Sequence, residues 1–187
     1  MDPDSDSRGR LDRAAIVDAA LRLLDEVGLD ELSTRRLAAD LGVKGPSLYW
    51  HFKNMGELRD HMAEALLAAE LPAPISDPAS GDWREWLAAG ARGIRRAAHS
   101  RRDGARLLRA WRPTPERRVR VLSANHARLV ASGFAADDAR IAFTALARFA
   151  MGWALGEQVA EGVTPESEAD FESGLMALLD GLALRRR

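Results

Sequence analysis

The 187-residue chain contains no cysteine and one tyrosine, and only 6% of its residues are aromatic. Without thiols it forms no disulfide and offers no thiolate to a metal, a composition compatible with the cytoplasm, where we expect it to act. No window approaches the roughly 20 apolar residues that span a bilayer. The first residues also lack the basic-then-apolar order of a secretory signal, so no membrane partner is expected. An excess of one charge is missing too: 27 basic against 28 acidic side chains leave a formal net charge of −1. Any attraction to nucleic acid must therefore come from a local patch. Strand-like alternation of apolar and polar residues is absent, which leaves an all-α fold.

What is present is helical punctuation, clearest over residues 33–52. Ser33 is placed as an N-cap, with Leu32 and Leu37 on either side as a hydrophobic staple. Leu37, Ala38 and Leu41 recur at helical spacing, and Gly42 stands where a glycine with positive φ ends a helix. Pro46 suits the first position of the next helix, where its missing N–H costs nothing. Two short helices joined in this way predict a helix-turn-helix, the shape that sets a helix in the major groove of DNA.

The second helix has an unusual surface. Pro46, Ser47, Tyr49, Trp50 and His51 crowd its length, leaving Leu48 and Phe52 as inward anchors. Arg35 and Arg36 open the preceding helix, and arginine matches the paired acceptors of guanine. Lys44, Lys53, Tyr49 and His51 are placed to donate to phosphates, which fixes register without reading sequence. The competing reading is that Tyr49 and Trp50 simply pack the core of a small domain.

These motifs fall into a larger plan. Residues 1–10 read as a flexible tail in which Arg8 and Arg10 could brush the DNA backbone. A helix-turn-helix domain follows over 11–54; its first helix carries Ile16, Ala20, Leu23, Leu24 and Val27 on one face and closes at Gly28. A connecting helix over 55–70 carries Leu58, Met62, Ala65, Leu66 and Ala69. Pro72, Pro74 and Pro78 mark a passage into a regulatory domain over 71–187. Its helices are predicted near 83–99, 104–110, 115–132, 137–160 and 168–184.

Residues 10–67 resemble the DNA-binding domain of the TetR family of bacterial repressors, with Leu48-Tyr49-Trp50-His51-Phe52 matching the recognition helix. Arg102-Asp103-Gly104-Ala105 and Arg112-Pro113-Thr114 resemble landmarks in the regulatory domain of the tetracycline-responsive members. The resemblance implies that Thr34, Arg35, Pro46, Ser47, Tyr49, Trp50 and His51 contact DNA, and that Met55 has replaced a phosphate-touching lysine. It also implies a ligand-responsive homodimer.

A partner-facing surface is expected on the last two long helices. Gly152, Gly156, Phe171, Gly174, Leu175, Leu178, Gly181 and Leu182 are assigned to the dimer interface, because small residues allow close helix approach and two helices per subunit complete a four-helix bundle. Two reading heads about 34–36 Å apart would match half-sites one turn apart on palindromic double-stranded DNA.

The ligand belongs in the middle of the chain. Ile94, Leu108, Trp111, Val121, Phe143 and Trp153 supply a largely apolar lining, with Arg112, Asn125 and His126 as polar anchors. By the resemblance, Leu108 stands where a histidine binds drug-chelated magnesium, and other drug-contacting positions hold Leu71, Gly90 and Gly156. The expected effector is therefore a small molecule other than magnesium-tetracycline, with no metal and no cofactor. The arginines between 92 and 120 read as a solvated face, with an anion site as the alternative.

Two rival classes are open to such a sequence. An enzyme is disfavoured, because His51, His61, His99 and His126 are scattered without ligand spacing, and neither a nucleophile elbow nor a phosphate loop is present. An architectural DNA-binding protein that ignores ligands would be favoured by a solidly filled middle region.

Overall fold

The computed structural model describes residues 12–71, 82–160 and 162–186, the side chains at 117 and 120 excepted. The expected tail at 1–10 with Arg8 and Arg10, the proline-bearing stretch 72–81 and Arg187 lie outside the described residues. Nine helices are described: α1 Arg13–Glu31, α2 Thr34–Asp40, α3 Gly45–Leu48, α4 Met55–Glu70, α5 Trp83–His99, α6 Gly104–Ala110, α7 Pro115–Ala131, α8 Ala136–Val159 and α9 Pro165–Ala183. Among the described residues the only β pairing is an isolated bridge between Phe134 and Arg186. The fold is all-helical.

Local chemistry explains where the helices start. Asp12, Ser33, Asn54, Asp82 and Thr164 each accept a hydrogen bond from a first-turn amide of the helix that follows, satisfying donors that the helix cannot pair internally. Helix α2 ends as its sequence requires: Gly42 takes φ 65, while Val43 N–H donates to Ala38 O at 2.9 Å and Gly42 N–H to Ala39 O at 3.2 Å. This is the double closure of a Schellman motif.

Several boundaries differ from expectation, α9 for one starting at Pro165 rather than near 168. Helix α1 does not stop at Gly28; the chain breaks helical geometry there at φ 78 and then completes a further turn to Glu31. Pro46 is the second residue of α3 rather than the first, behind a Lys44 N-cap. The regular part of α3 is one turn long and continues through the tighter bonds Tyr49 N–H to Pro46 O and His51 N–H to Leu48 O. Such three-residue closures crowd side chains more than an α-helix does, as a run of Tyr-Trp-His would require.

The helices enclose two cores. The first joins Ile16, Leu24, Leu37, Leu48, Phe52 and Met62 of α1–α4 to Ala97, Ala98, Ala105, Leu107 and Leu108 of α5 and α6. The second packs Trp83, Leu87 and Ala91 of α5 against Leu129, Leu146, Phe171, Leu175 and Leu179 from α7, α8 and α9. Burying each large side chain stabilises the fold by about 1.5–3 kcal/mol. Residues of α6 thus share a core with those of the reading head.

Candidate DNA-reading head and regulatory core

In the reading head, sequence neighbours part company. Leu48 and Phe52 are 3% and 4% exposed, whereas Tyr49 and Trp50 are 56% and 84% exposed. Packing therefore accounts for the two anchors and leaves the two aromatics outside the core. Arg35, Lys44, Pro46 and Lys53 are exposed beside them, and Thr34, Ser47 and His51 are half-buried. Arg35 has no partner among the described residues. Arg36 is also exposed, but its guanidinium donates to Glu31 at 2.8 Å. The head thus offers flat aromatics, an arginine without a partner among the described residues, and flanking lysines, chemistry suited to base edges and phosphates.

The residues expected to line a ligand pocket fall into three groups. Leu108 is 5% exposed and, with the half-buried Trp111, packs in the first core. Ile94, Phe143 and Trp153 pack against the second, and Trp153 belongs to an aromatic group with Phe149 and Phe171 at centroid separations of 5.5 and 6.0 Å. The third group lies on α7, where Val121 is exposed, Asn125 half-buried, and the His126 ring nitrogen 3.1 Å from Ala136 O. Arg112 donates to the carbonyls of Arg109, Ala110 and Trp111, so its charge meets the negative end of α6. An open groove of about 380 Å³ lies between α6 and the end of α8, walled by Arg102, Asp103, Arg106, Leu155 and Val159. None of the expected pocket residues lines it.

The dimer expectation is redistributed. Gly152, Gly156 and Gly181 are exposed, in company with Ile141, Val159 and Leu184. Leu178 and Gly174 are half-buried, and Phe149 packs against the latter. Phe171, Leu175 and Leu182, expected at the interface, are instead buried in this chain's own core. Inward-facing residues at helical spacing hold α9 to α5 and α8, and sequence alone does not distinguish a face covered from within from one covered by a partner.

Five arginines of the stretch between 92 and 120 are paired with acids rather than left to solvent. Arg92 pairs with Glu172, Arg95 with Glu157, Arg96 with Glu70, Arg101 with Asp25 and Arg106 with Asp30. Each pair bridges residues at least 26 positions apart. The most buried of these centres on Glu157, 5% exposed, which accepts from Arg95 at 2.9 and 2.7 Å, from Ser167 Oγ at 2.8 Å and lies 2.8 Å from His99 Nε2. Burial works against its charge, but the hydrogen bonds from Arg95, Ser167 and His99 outweigh it and hold the carboxyl at about 2. Arg95 also lies over the Phe171 ring, 4.7 Å from its centroid. Sequence reasoning missed Glu157, because nothing local marks an acid whose partners stand about 60 positions away.

A helix-turn-helix with an outward aromatic and basic surface, set on an all-helical second core, defines a DNA-binding regulator. Residues 16–62 match the family described as bacterial regulatory proteins, tetR family, and residues 73–166 match the tetracyclin repressor-like C-terminal domain. The chain is 37% identical over 202 residues to the tetracycline repressor protein class A from transposon 1721 of Escherichia coli, covering 95% of this chain and 93% of that protein. Among solved structures it is similar to a TetR variant from Acinetobacter baumannii AYE in complex with minocycline. That match has a TM-score of 0.85 at 37% identity and covers 95% of this chain and 100% of the other. It is also similar to BioQ with its natural double-stranded DNA operator, at a TM-score of 0.74 and 30% identity over 93% of this chain and 99% of the other. The chain belongs to the TetR family, and is thus a DNA-binding transcriptional repressor rather than an enzyme. No described helix is long and apolar enough to cross a membrane.

Proposed function

We propose that the protein is a homodimeric repressor that grips a palindromic operator and is released by a small, largely apolar effector other than magnesium-tetracycline. The observation that carries this reading is the seat of α6. Leu107 and Leu108 are 1% and 5% exposed within the core that also holds α1, α2 and α4. An effector that prefers a displaced α6 therefore displaces the reading head with it, and the population shifts away from the DNA-competent form.

Leu108 also bears on the effector's identity. The family resemblance puts it where a metal-binding histidine stands in the tetracycline-responsive members, and a buried leucine supplies no lone pair to magnesium. In the same core, the indole nitrogen of Trp111 is buried without a hydrogen-bond partner among the described residues. Such a donor favours an effector with a carbonyl or ether acceptor on an apolar body. The exposed Gly152, Gly156 and Gly181, with Val159 and Leu184 beside them, support a second copy packed along α8 and α9.

The test uses a duplex recovered from a random pool by the protein itself. The recovered sequence should be a palindrome bound by two chains, and a screen of uncharged apolar compounds should find one that releases it. A non-palindromic site bound by one chain would overturn the dimeric reading.

A further inference from the structure

The reading head meets α6 at the broken end of α1. Because Gly28 leaves helical geometry, the amide of Leu29 loses its internal partner and must find another. It finds one 74 positions away: Leu29 N–H donates to Asp103 Oδ2 at 2.8 Å. Asp103 sits at φ 56, the left-handed region, and is the only non-glycine residue with positive φ among those described. L-residues avoid that conformation unless their surroundings impose it. Here it caps α6 with its backbone and turns its carboxylate toward α1.

Neighbouring contacts serve the same joint. Arg102 N–H donates to Asp25 Oδ1 at 3.0 Å, and its guanidinium to Glu26 O at 3.0 Å. Arg106 spans from Asp103 Oδ1 at 3.1 Å to Asp30 Oδ1 at 2.9 Å. From the other side, Arg59 of α4 donates to Leu29 O at 3.1 Å. Burial opposes the charge on Asp103, but the Leu29 and Arg106 hydrogen bonds prevail and keep its carboxyl below its ordinary value. At the far end of α6, Arg112 N–H donates to Asp60 Oδ1 of α4 at 2.7 Å. One seven-residue helix thus ends on α1 at one side and on α4 at the other.

We propose that Asp103 is a positioning residue for DNA binding: by holding the Leu29 amide it fixes the α1 kink to α6, so that α6 sets the angle of the reading head from both ends. The proposal rests on the reading above only in making α6 the part that an effector moves. Its test needs no effector, so the two fail separately.

The experiment compares Asp103→Ala with Asp103→Asn, which keeps a side-chain oxygen to accept from Leu29. Binding to the pool-selected duplex and amide hydrogen exchange are measured on the full chain. In Asp103→Ala, Leu29 should exchange faster while Ile16 and Leu24 keep their protection. Duplex affinity should fall about tenfold, a usual size for coupling between sites. Asp103→Asn should restore affinity to within about threefold of the unaltered chain, a recovery that a loss of charge alone would not allow. Unchanged affinity in Asp103→Ala, or an equal loss in Asp103→Asn, overturns the proposal. Should the alanine variant fail to fold, Gly28→Ala presses the same joint from the other side, since its Cβ would lie 3.1 Å from Asp103 Oδ2. The same fall is then expected, and unchanged affinity overturns the proposal equally.

Discussion

Trp50 has 84% of its surface exposed although a neighbour on each side of it, Leu48 and Phe52, is buried. A side chain that packs nothing contributes little to folding, so Trp50→Ala should leave the melting stability within about 0.5 kcal/mol while weakening duplex binding, which a thermal melt and a binding titration read separately. Arg35→Ala should cost roughly 1–3 kcal/mol of specific binding and relax preference at one base pair of the selected site; equal affinity for all base pairs there, before and after, would remove Arg35 from base reading. Glu157 behaves in the opposite way. Glu157→Ala leaves the Arg95 guanidinium buried without its partner, and a loss of about 3–5 kcal/mol in chemical denaturation is expected. Because the folded carboxyl is held at about 2 against an ordinary 4.5, its stabilisation is complete above that ordinary value and drains away as pH falls from there toward 2. Acid titration of the unaltered chain should show this loss, and the Glu157→Ala variant should lack that part of it.

At the scale of the element, helix limits were written in the local sequence and long-range partners were not. Trp83–His99 and Gly104–Ala110 match the predicted ranges, since capping residues and apolar spacing act within a turn or two of where they stand. Gly42 shows how little context such signals need. Nothing lies within 4 Å of a Cβ built there, so Gly42→Ala should cost only the left-handed conformation, about 1 kcal/mol by denaturant titration. Asp103 and Glu157 show the limit of that legibility. The Arg-Asp-Gly-Ala run was visible as a landmark, but its role depends on an amide 74 positions away that is freed by a kink in another helix. The same limit explains Phe171, Leu175 and Leu182. Their helical spacing announced a buried face, and only the assembled fold shows that α5 and α8 already cover it.

For the whole molecule, a nearly neutral chain holds its basic residues in two employments. Those of the head are presented outward around α2 and α3, and those of α5 and α6 are spent on ties between helices. The proposed dimer belongs to this scale as well: Gly156→Glu would place a charge on the exposed face of α8, without a core contact to disturb. It should reduce the dimer fraction in sedimentation and weaken duplex binding together; a full dimer population would place the interface elsewhere. On the proposed reading, a TetR-family head obeys an effector site without tetracycline's metal chemistry, with the buried Leu108 as its mark. The most direct measurement adds magnesium and tetracycline to the protein bound to its selected duplex. The complex should persist, with or without the metal, and magnesium-dependent release would overturn the assignment of a non-tetracycline effector.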